Sequence, residues 1–409
     1  MKKVLTILTV LIITILAAFL VWFLFFRNPN IPVGESVKSI LPFGSGEDVN
    51  IPALPTSGSS TSLGTDQQQT DEFGMPAANL FRISKEPVAG VVLLKRGTTT
   101  IARYVDRATG HMYDTDLATL TKTKVSNQTL PKIYEAYFRP DGNAVLVRLL
   151  EDDSDTVENL SLALTPPGTS GATLYTVSST ALRGNIGAVT VGGNTLFYTL
   201  RDTSSIVSAA FNGTGTRTLL TSPFSDWRLA NIGNNLLVYT KANSRAAGYA
   251  YTLSASGGPL TKILGPLDGL AVVASPTGNR VLYSYYENGS TKLFFKNTQN
   301  GTTYEILPAT LAEKCVWSVR NAGIFFCGTP ASGLSSREPD NWYRGLTHFS
   351  DYVWRFDTNS EIAQLISEPK KSLGIDIDVA EPKLSPDEDY LTFTNKTDLS
   401  LWALRLEQF

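Results

Sequence analysis

The chain is poor in the residues that carry most protein chemistry. Among its 409 residues there are two cysteines and two histidines. That is too few ligands for an ordinary zinc or haem site and little material for histidine-based acid–base catalysis, so no cofactor and no metal are expected. Charge is scarce as well, with Asp, Glu, Lys and Arg at 18% and 35 basic residues set against 37 acidic ones. Hydrophobic residues at 42% exclude a disordered chain, and the balanced charge argues against a nucleic-acid partner. No G-x-S-x-G elbow, H-E-x-x-H helix, G-K-[ST] phosphate loop or sialidase-type aspartate box occurs, which removes the hydrolase-linked propeller peptidases, zincins and P-loop enzymes. What the chain has instead is 32 Gly and 21 Pro with many Asn, Ser and Thr, the composition of short strands joined by turns.

The N-terminus departs from this pattern. Residues 4–26 contain no charge, no Gly and no Pro, and are flanked by Lys2, Lys3 and Arg27. A helix of that length spans roughly 34 Å, enough for a hydrocarbon core of about 30 Å. Bulky Trp22, Phe23, Phe25 and Phe26 stand where a cleavable signal peptide has small residues, so residues 1–27 are expected to be an uncleaved membrane anchor. The excess of Lys before the span places the N-terminus in the cytoplasm and everything after it outside, as a single-pass protein of the cytoplasmic (inner) membrane. Residues 28–75 are rich in Pro, Gly, Ser, Thr and Gln with no sustained apolar period and read as a flexible linker. Residues 76–409, with 31 basic and 31 acidic side chains, are the folded part.

That part repeats. A turn followed by a β-forming apolar run occurs as Asp141-Gly-Asn-Ala-Val-Leu-Val, Gly192-Gly-Asn-Thr-Leu-Phe-Tyr, Ile232-Gly-Asn-Asn-Leu-Leu-Val, Thr277-Gly-Asn-Arg-Val-Leu-Tyr and Arg320-Asn-Ala-Gly-Ile-Phe-Phe. Weaker copies start at Pro87 and Asp387, giving marker positions 88, 142, 193, 233, 278, 321 and 388. A period of 40–55 residues with several strands and no helix is the length of a propeller blade, and a β-sandwich alternative would need three domains with linkers that are not visible. The expected fold is therefore all-β, a seven-bladed β-propeller, with the apolar run after each turn forming the strand beside the central channel. Residues 80–84 form a strand without a blade, and the last repeat is one strand short. Pairing them would close the ring and remove an open sheet edge.

Cys315 and Cys327 lie symmetrically about residue 321, the sixth marker. In an antiparallel hairpin centred there they face each other, with Cα atoms about 4.5–5.5 Å apart, so a disulfide is expected if the hairpin carries no bulge. Outside the cytoplasm such a pair would be oxidised.

Ser84-Lys-Glu-Pro-Val-Ala-Gly, Lys314-Cys-Val-Trp-Ser, Asn341-Trp-Tyr-Arg-Gly, Phe349-Ser-Asp-Tyr-Val-Trp and Asn395-Lys-Thr-Asp-Leu-Ser-Leu-Trp resemble the single-pass, membrane-anchored propeller proteins of small-genome bacteria, themselves similar to WD40-like and TolB-like propellers. The resemblance implies a fold and a location in the cell envelope without implying a reaction. No Trp-Asp pair occurs and the one Gly-His, Gly110-His111, does not recur from blade to blade, so the paired signature of true WD40 blades is missing.

Asp106-Arg-Ala-Thr-Gly-His-Met-Tyr113 is closer to a hairpin turn than to the quinone-propeller motif it faintly resembles, and His111 reads as a strand-surface residue. The acidic run at residues 151–155 reads as a solvated hairpin tip, since it lacks the glycine of a calcium loop. The interval of 67 residues before the last marker is about 20 too long, and the excess falls at residues 328–353. Such insertions map to loops on one face, where propellers bind. This one holds Arg337, Glu338, Asp340, Trp342, Tyr343, Arg344, His348 and Asp351, rich in the Trp, Tyr and Arg that anchor binding surfaces. An alternative role is a plug, with Trp342 and Tyr343 over the channel mouth and Arg344 paired to Asp340 or Asp351. The leading functional expectation is a non-enzymatic envelope module that binds a protein or peptide. The alternatives are a glycan-binding module, or a glycan- or peptide-processing enzyme with Glu338 and Asp340 as acid and base.

Overall fold

The computed structural model describes residues 79–150, 156–168, 173–334 and 338–406. The expected membrane span and linker, the acidic run at 151–155 and Arg337 lie outside them. Among the described residues no helix is long and apolar enough to cross a membrane.

The turn-and-run repeat folds as anticipated into seven four-stranded antiparallel sheets. The first strand, β1 (Leu80–Ser84), precedes the first complete blade. Blade 1 is β2 (Val88–Arg96), β3 (Thr99–Asp106), β4 (Met112–Asp116) and β5 (Lys122–Ser126). Blade 2 is β6 (Ile133–Phe138), β7 (Ala144–Leu150), β8 (Val157–Thr165) and β9 (Thr176–Ala181), and blade 3 is β10 (Ile186–Gly192), β11 (Thr195–Leu200), β12 (Ser205–Ala210) and β13 (Arg217–Thr221). Blade 4 comprises β14 (Trp227–Ile232), β15 (Asn235–Thr240), β16 (Ala247–Ser254) and β17 (Thr261–Asp268), and blade 5 β18 (Ala271–Ala274), β19 (Arg280–Glu287), β20 (Ser290–Asn297) and β21 (Thr303–Glu305). Blade 6 is β22 (Cys315–Trp317), β23 (Ile324–Pro330), β24 (Asp351–Asp357) and β25 (Ile362–Ser367). Blade 7 combines β26 (Val379–Leu384), β27 (Tyr390–Asn395) and β28 (Leu401–Arg405) with β1.

The ring closes as the unpaired strand suggested. β1 runs antiparallel to β28 in the register Leu80 to Leu404, Phe81 to Ala403 and Arg82 to Trp402. Phe81, 2% exposed, meets Tyr390 edge-on with ring centroids 6.3 Å apart. Packing of this kind ties the start of the described chain to its end and completes blade 7 to four strands like the other six.

One expectation is corrected. The apolar run after each marker turn is the second strand of its blade, not the strand beside the channel. Each first strand is innermost: β2 approaches β6 so closely that a Cβ on Gly90 would sit 2.0 Å from the Ala136 carbonyl oxygen. The reason lies in what covers each strand. A second strand is sandwiched between its neighbours and is covered along most of its length, as in β27, where all six residues are buried. A first strand shows one side to the channel and is mixed, as in β6 or β26. The marker at 88 was also misplaced, because Val88 opens β2 and the equivalent turn is at Gly97, between β2 and β3. In β3 the pattern is masked by Arg103, fully buried in a two-pronged pair with Asp114 at 2.7 and 2.8 Å.

In a four-stranded meander the turns from first to second and third to fourth strand lie on one face. Second-to-third turns and the blade connections lie on the other. The insertion, residues 331–350 between β23 and β24, therefore belongs to the second face. It carries one helical turn, α1 (Asp340–Tyr343), while a second short helix, α2 (Pro369–Leu373), takes up the rest of the excess length before blade 7.

Cys315 and Cys327 are directly paired in the β22/β23 register and joined by a disulfide, with Cα atoms 4.1 Å apart. The separation is shorter than the expected 4.5–5.5 Å, but the pairing is the one the spacing implied.

Candidate functional site

Lys314 ends a single 3₁₀ turn, Ala312–Lys314, just before β22, and its side chain is fully buried. Its ammonium pairs with Asp351 Oδ2 at 2.7 Å and with Asp378 Oδ1, both carboxylates being fully buried too. Asp351 opens β24 and closes the insertion; Asp378 immediately precedes β26. The second oxygens and neighbouring donors bind the insertion to this pair. Trp342 Nε1 donates to both Asp378 oxygens at 3.0 Å, and the Phe349 amide donates to Asp378 Oδ2 at 3.2 Å. The Val379 amide donates to Asp351 Oδ2 at 2.7 Å. The Lys314 ammonium also lies 5.1 Å from the Trp342 ring centroid and 4.9 Å from that of Phe349, while Lys396 approaches the Trp342 ring at 5.1 Å. Trp342, Phe349 and Leu311 make a small apolar cluster of their own.

Burial dominates the electrostatics here. It pushes the Asp351 carboxyl up to about 6 in spite of the ammonium beside it, and the neighbouring Asp378 adds to the rise. The same desolvation lowers Lys396, offset in part by Asp378. Glu338 is buried, with Oε2 accepting the Trp342 amide at 2.8 Å and its backbone oxygen accepting Thr291 Oγ1 from blade 5 at 3.2 Å. At the end of α1, Tyr343 lies with the Lys241 ammonium 5.7 Å from its ring centroid. Burial and the adjacent Glu313 hold its phenol well above the usual value near 10.

The insertion is thus fastened down over the rim of blades 4 to 7, and its exposed side faces a cleft. Asp340, Asn341 and Arg344 of the insertion stand against Asn243, Ser244 and Arg245 from the β15/β16 loop and Tyr286 from β19, around a cavity of about 550 Å³. The Ser244 amide donates to Asp340 Oδ2 at 2.8 Å, joining the two walls. Asn243 Oδ1 accepts the Arg245 amide at 2.8 Å, which shapes the loop and leaves the Asn243 amide nitrogen for the cleft. Arg245 and Arg344 are exposed, and among the described residues neither guanidinium has an ion-pair partner.

Of the residues marked in the sequence, Asp340 and Arg344 line the cleft, and Tyr343 between them in sequence packs beside Lys241 of blade 4. Glu338, Trp342 and Asp351 are buried supports, His348 is exposed on the insertion, and Arg337 lies outside the described residues. Arg344 pairs with neither Asp340 nor Asp351, because Asp340 accepts Ser244 and Asp351 is held by Lys314. Glu338, committed to the Trp342 amide, does not line the cleft with Asp340, so the two do not form a facing acid–base pair. His111 accompanies Thr129 at 3.3 Å on the β3/β4 turn. Among the described residues no group of three or more His, Cys, Asp or Glu is placed to hold a metal ion. Sequence reading missed Lys314, Asp378, Ser244, Arg245 and Tyr286. Lys314 alone left a trace, a charged residue opening the otherwise buried run to Trp317.

No family model matches the chain, and no curated protein matches it. Solved structures do. An oligogalacturonate lyase in complex with manganese shares 10% identity with a TM-score of 0.50, the match covering 79% of this chain and 97% of the lyase. At that identity the likeness shows the propeller fold alone. Hydrazine synthase of Kuenenia stuttgartiensis (12% identity, 85% and 99% covered, TM-score 0.49) and TolB of Acinetobacter baumannii (12%, 74% and 61%, 0.39) are more distant in shape.

Proposed function

We propose that this chain is a membrane-tethered propeller displayed on the outer side of the cytoplasmic membrane, where it binds an envelope protein or peptide and performs no chemistry. The observation that carries the reading is the fastening of the insertion. A buried Lys314, Asp351 and Asp378 cluster with Trp342 fixed on it is expensive to desolvate, and it holds a polar, partly open cleft of ligand size in place between the insertion and blades 4 and 5. A propeller with rigid blades and one elaborated loop concentrates recognition on that loop. The apolar span at residues 4–26 and the linker after it support the tethering.

Two measurements test it. With the full-length chain as bait in crosslinked cells, an envelope protein should be recovered by the parent and lost with Asn341→Trp, which fills the cleft without touching the buried cluster. Equal recovery by both would refute binding at this site. Alkylation of the chain in its native membrane without reduction should label neither Cys315 nor Cys327; two labelled thiols would contradict the outward orientation.

A further inference from the structure

The cleft has a chemical bias that narrows the partner. Resting on the binding reading above, we infer that the partner inserts an acidic peptide segment, whose carboxylates are taken by Arg245 and Arg344. The two arginines line one cavity, Arg245 from the β15/β16 loop and Arg344 from the insertion just after α1. Several other arginines are occupied, Arg103 by Asp114, Arg139 by Asp141, Arg148 by Glu135 and Arg320 by the Asp387 carbonyl, but what sets Arg245 and Arg344 apart is that they share one cavity. Arg245 and Arg344 have no such partner among the described residues, although Asp340 shares their cavity. That carboxylate accepts the Ser244 amide across the cleft, so it holds the walls together instead of neutralising the arginines. Two forked donors left open in one cavity match planar carboxylates, each able to take a two-pronged bond.

The rest of the lining suits a peptide. Asn341 carries an amide side chain that offers donor and acceptor together as a peptide unit requires, and Asn243, its oxygen held by the Arg245 amide, adds a donor. Tyr286 supplies a ring wall. The folded part as a whole carries equal numbers of acidic and basic residues, so attraction to an acidic segment arises from this local pair and not from a general field.

The test uses the full-length chain in detergent and a fluorescein-labelled hexapeptide of alternating glutamate and glycine, followed by anisotropy at low and physiological salt. The expected result is saturable binding that falls about tenfold with either Arg245→Gln or Arg344→Gln, at unchanged melting temperature, and weakens as salt rises. A hexapeptide with glutamine for glutamate should not bind. No saturation up to about 1 mM peptide, or equal affinity for the glutamine peptide, overturns the inference. Preference for an acidic polysaccharide over the acidic peptide overturns it as well. If partner capture is lost with Asn341→Trp yet survives both arginine substitutions, the cleft binds its partner by other means; the acidic-segment inference then fails while the binding reading stands.

Discussion

Replacing Lys314 by methionine tests whether the buried cluster is what fastens the insertion. Methionine nearly matches the apolar stem of lysine, so little packing volume is lost, but the ammonium paired with both Asp351 and Asp378 disappears. Breaking a buried pair from one side costs about 3–5 kcal/mol, because an uncompensated charge is left in a desolvated site. Here two carboxylates are orphaned, and Asp351 Oδ1 already lacks a hydrogen-bond partner, so the upper end is expected at neutral pH. The pH dependence has a definite sign. Asp351 in the folded protein binds its proton more tightly than in the unfolded chain, at about 6 against the usual 3.8. Its contribution to stability is therefore fully present below the lower value and lost as pH rises through the higher one. The groups facing it are Lys314, Asp378 and, beyond the Trp342 ring, Lys396. Without Lys314 the Asp351 carboxyl should move higher still, so the loss at about pH 5 should be smaller than at pH 7.5. Urea unfolding of both proteins at the two pH values gives the difference, and hydrogen exchange at the Trp342 and Phe349 amides reports whether the insertion has come loose. A triple variant, Lys314→Met with Asp351→Asn and Asp378→Asn, removes every charge of the cluster and should recover more than half of the loss. Parent-like stability for Lys314→Met at neutral pH, with both amides still protected, would refute the reasoning.

Three further outcomes are expected. Replacing both Cys315 and Cys327 by alanine removes a crosslink spanning 12 residues of sequence separation and should lower stability by about 3 kcal/mol, read as a lower unfolding midpoint that reductant no longer shifts. Phe81→Ala empties the packing of β1 against blade 7 and should cost about 3–5 kcal/mol, with exchange increased in β28; loss of stability without any change there would count against the closure contact. Gly90→Ala drives a methyl group against the Ala136 carbonyl and should destabilise by about 1–3 kcal/mol, measured by thermal unfolding; a neutral result would mean the innermost strands are looser than their spacing indicates.

By itself the sequence determined the parts of this protein that depend on local, repeated physics. Turn glycines at positions such as 142 and 278, each with positive φ, recur ahead of apolar runs because every blade needs the same hairpin. Seven copies, a spare strand at Leu80–Ser84 and two cysteines spaced evenly about one turn were enough to read a closed seven-bladed ring and a cross-strand disulfide. The unusual length and aromatic content of the insertion also marked it before any coordinates. Which of its residues face a ligand was not legible, since Trp342 and Arg344 look equally suited to binding in one dimension. Only the tertiary structure decided that Trp342 turns inward to Asp378, 36 residues away, while Arg344 lines a cleft with Arg245 and other residues of blades 4 and 5. It also decided which strand lines the channel. Those choices rest on long-range contacts, in which desolvated charges must find partners from whichever blade the closed ring brings near, and such pairings leave no period in the chain for a sequence to display.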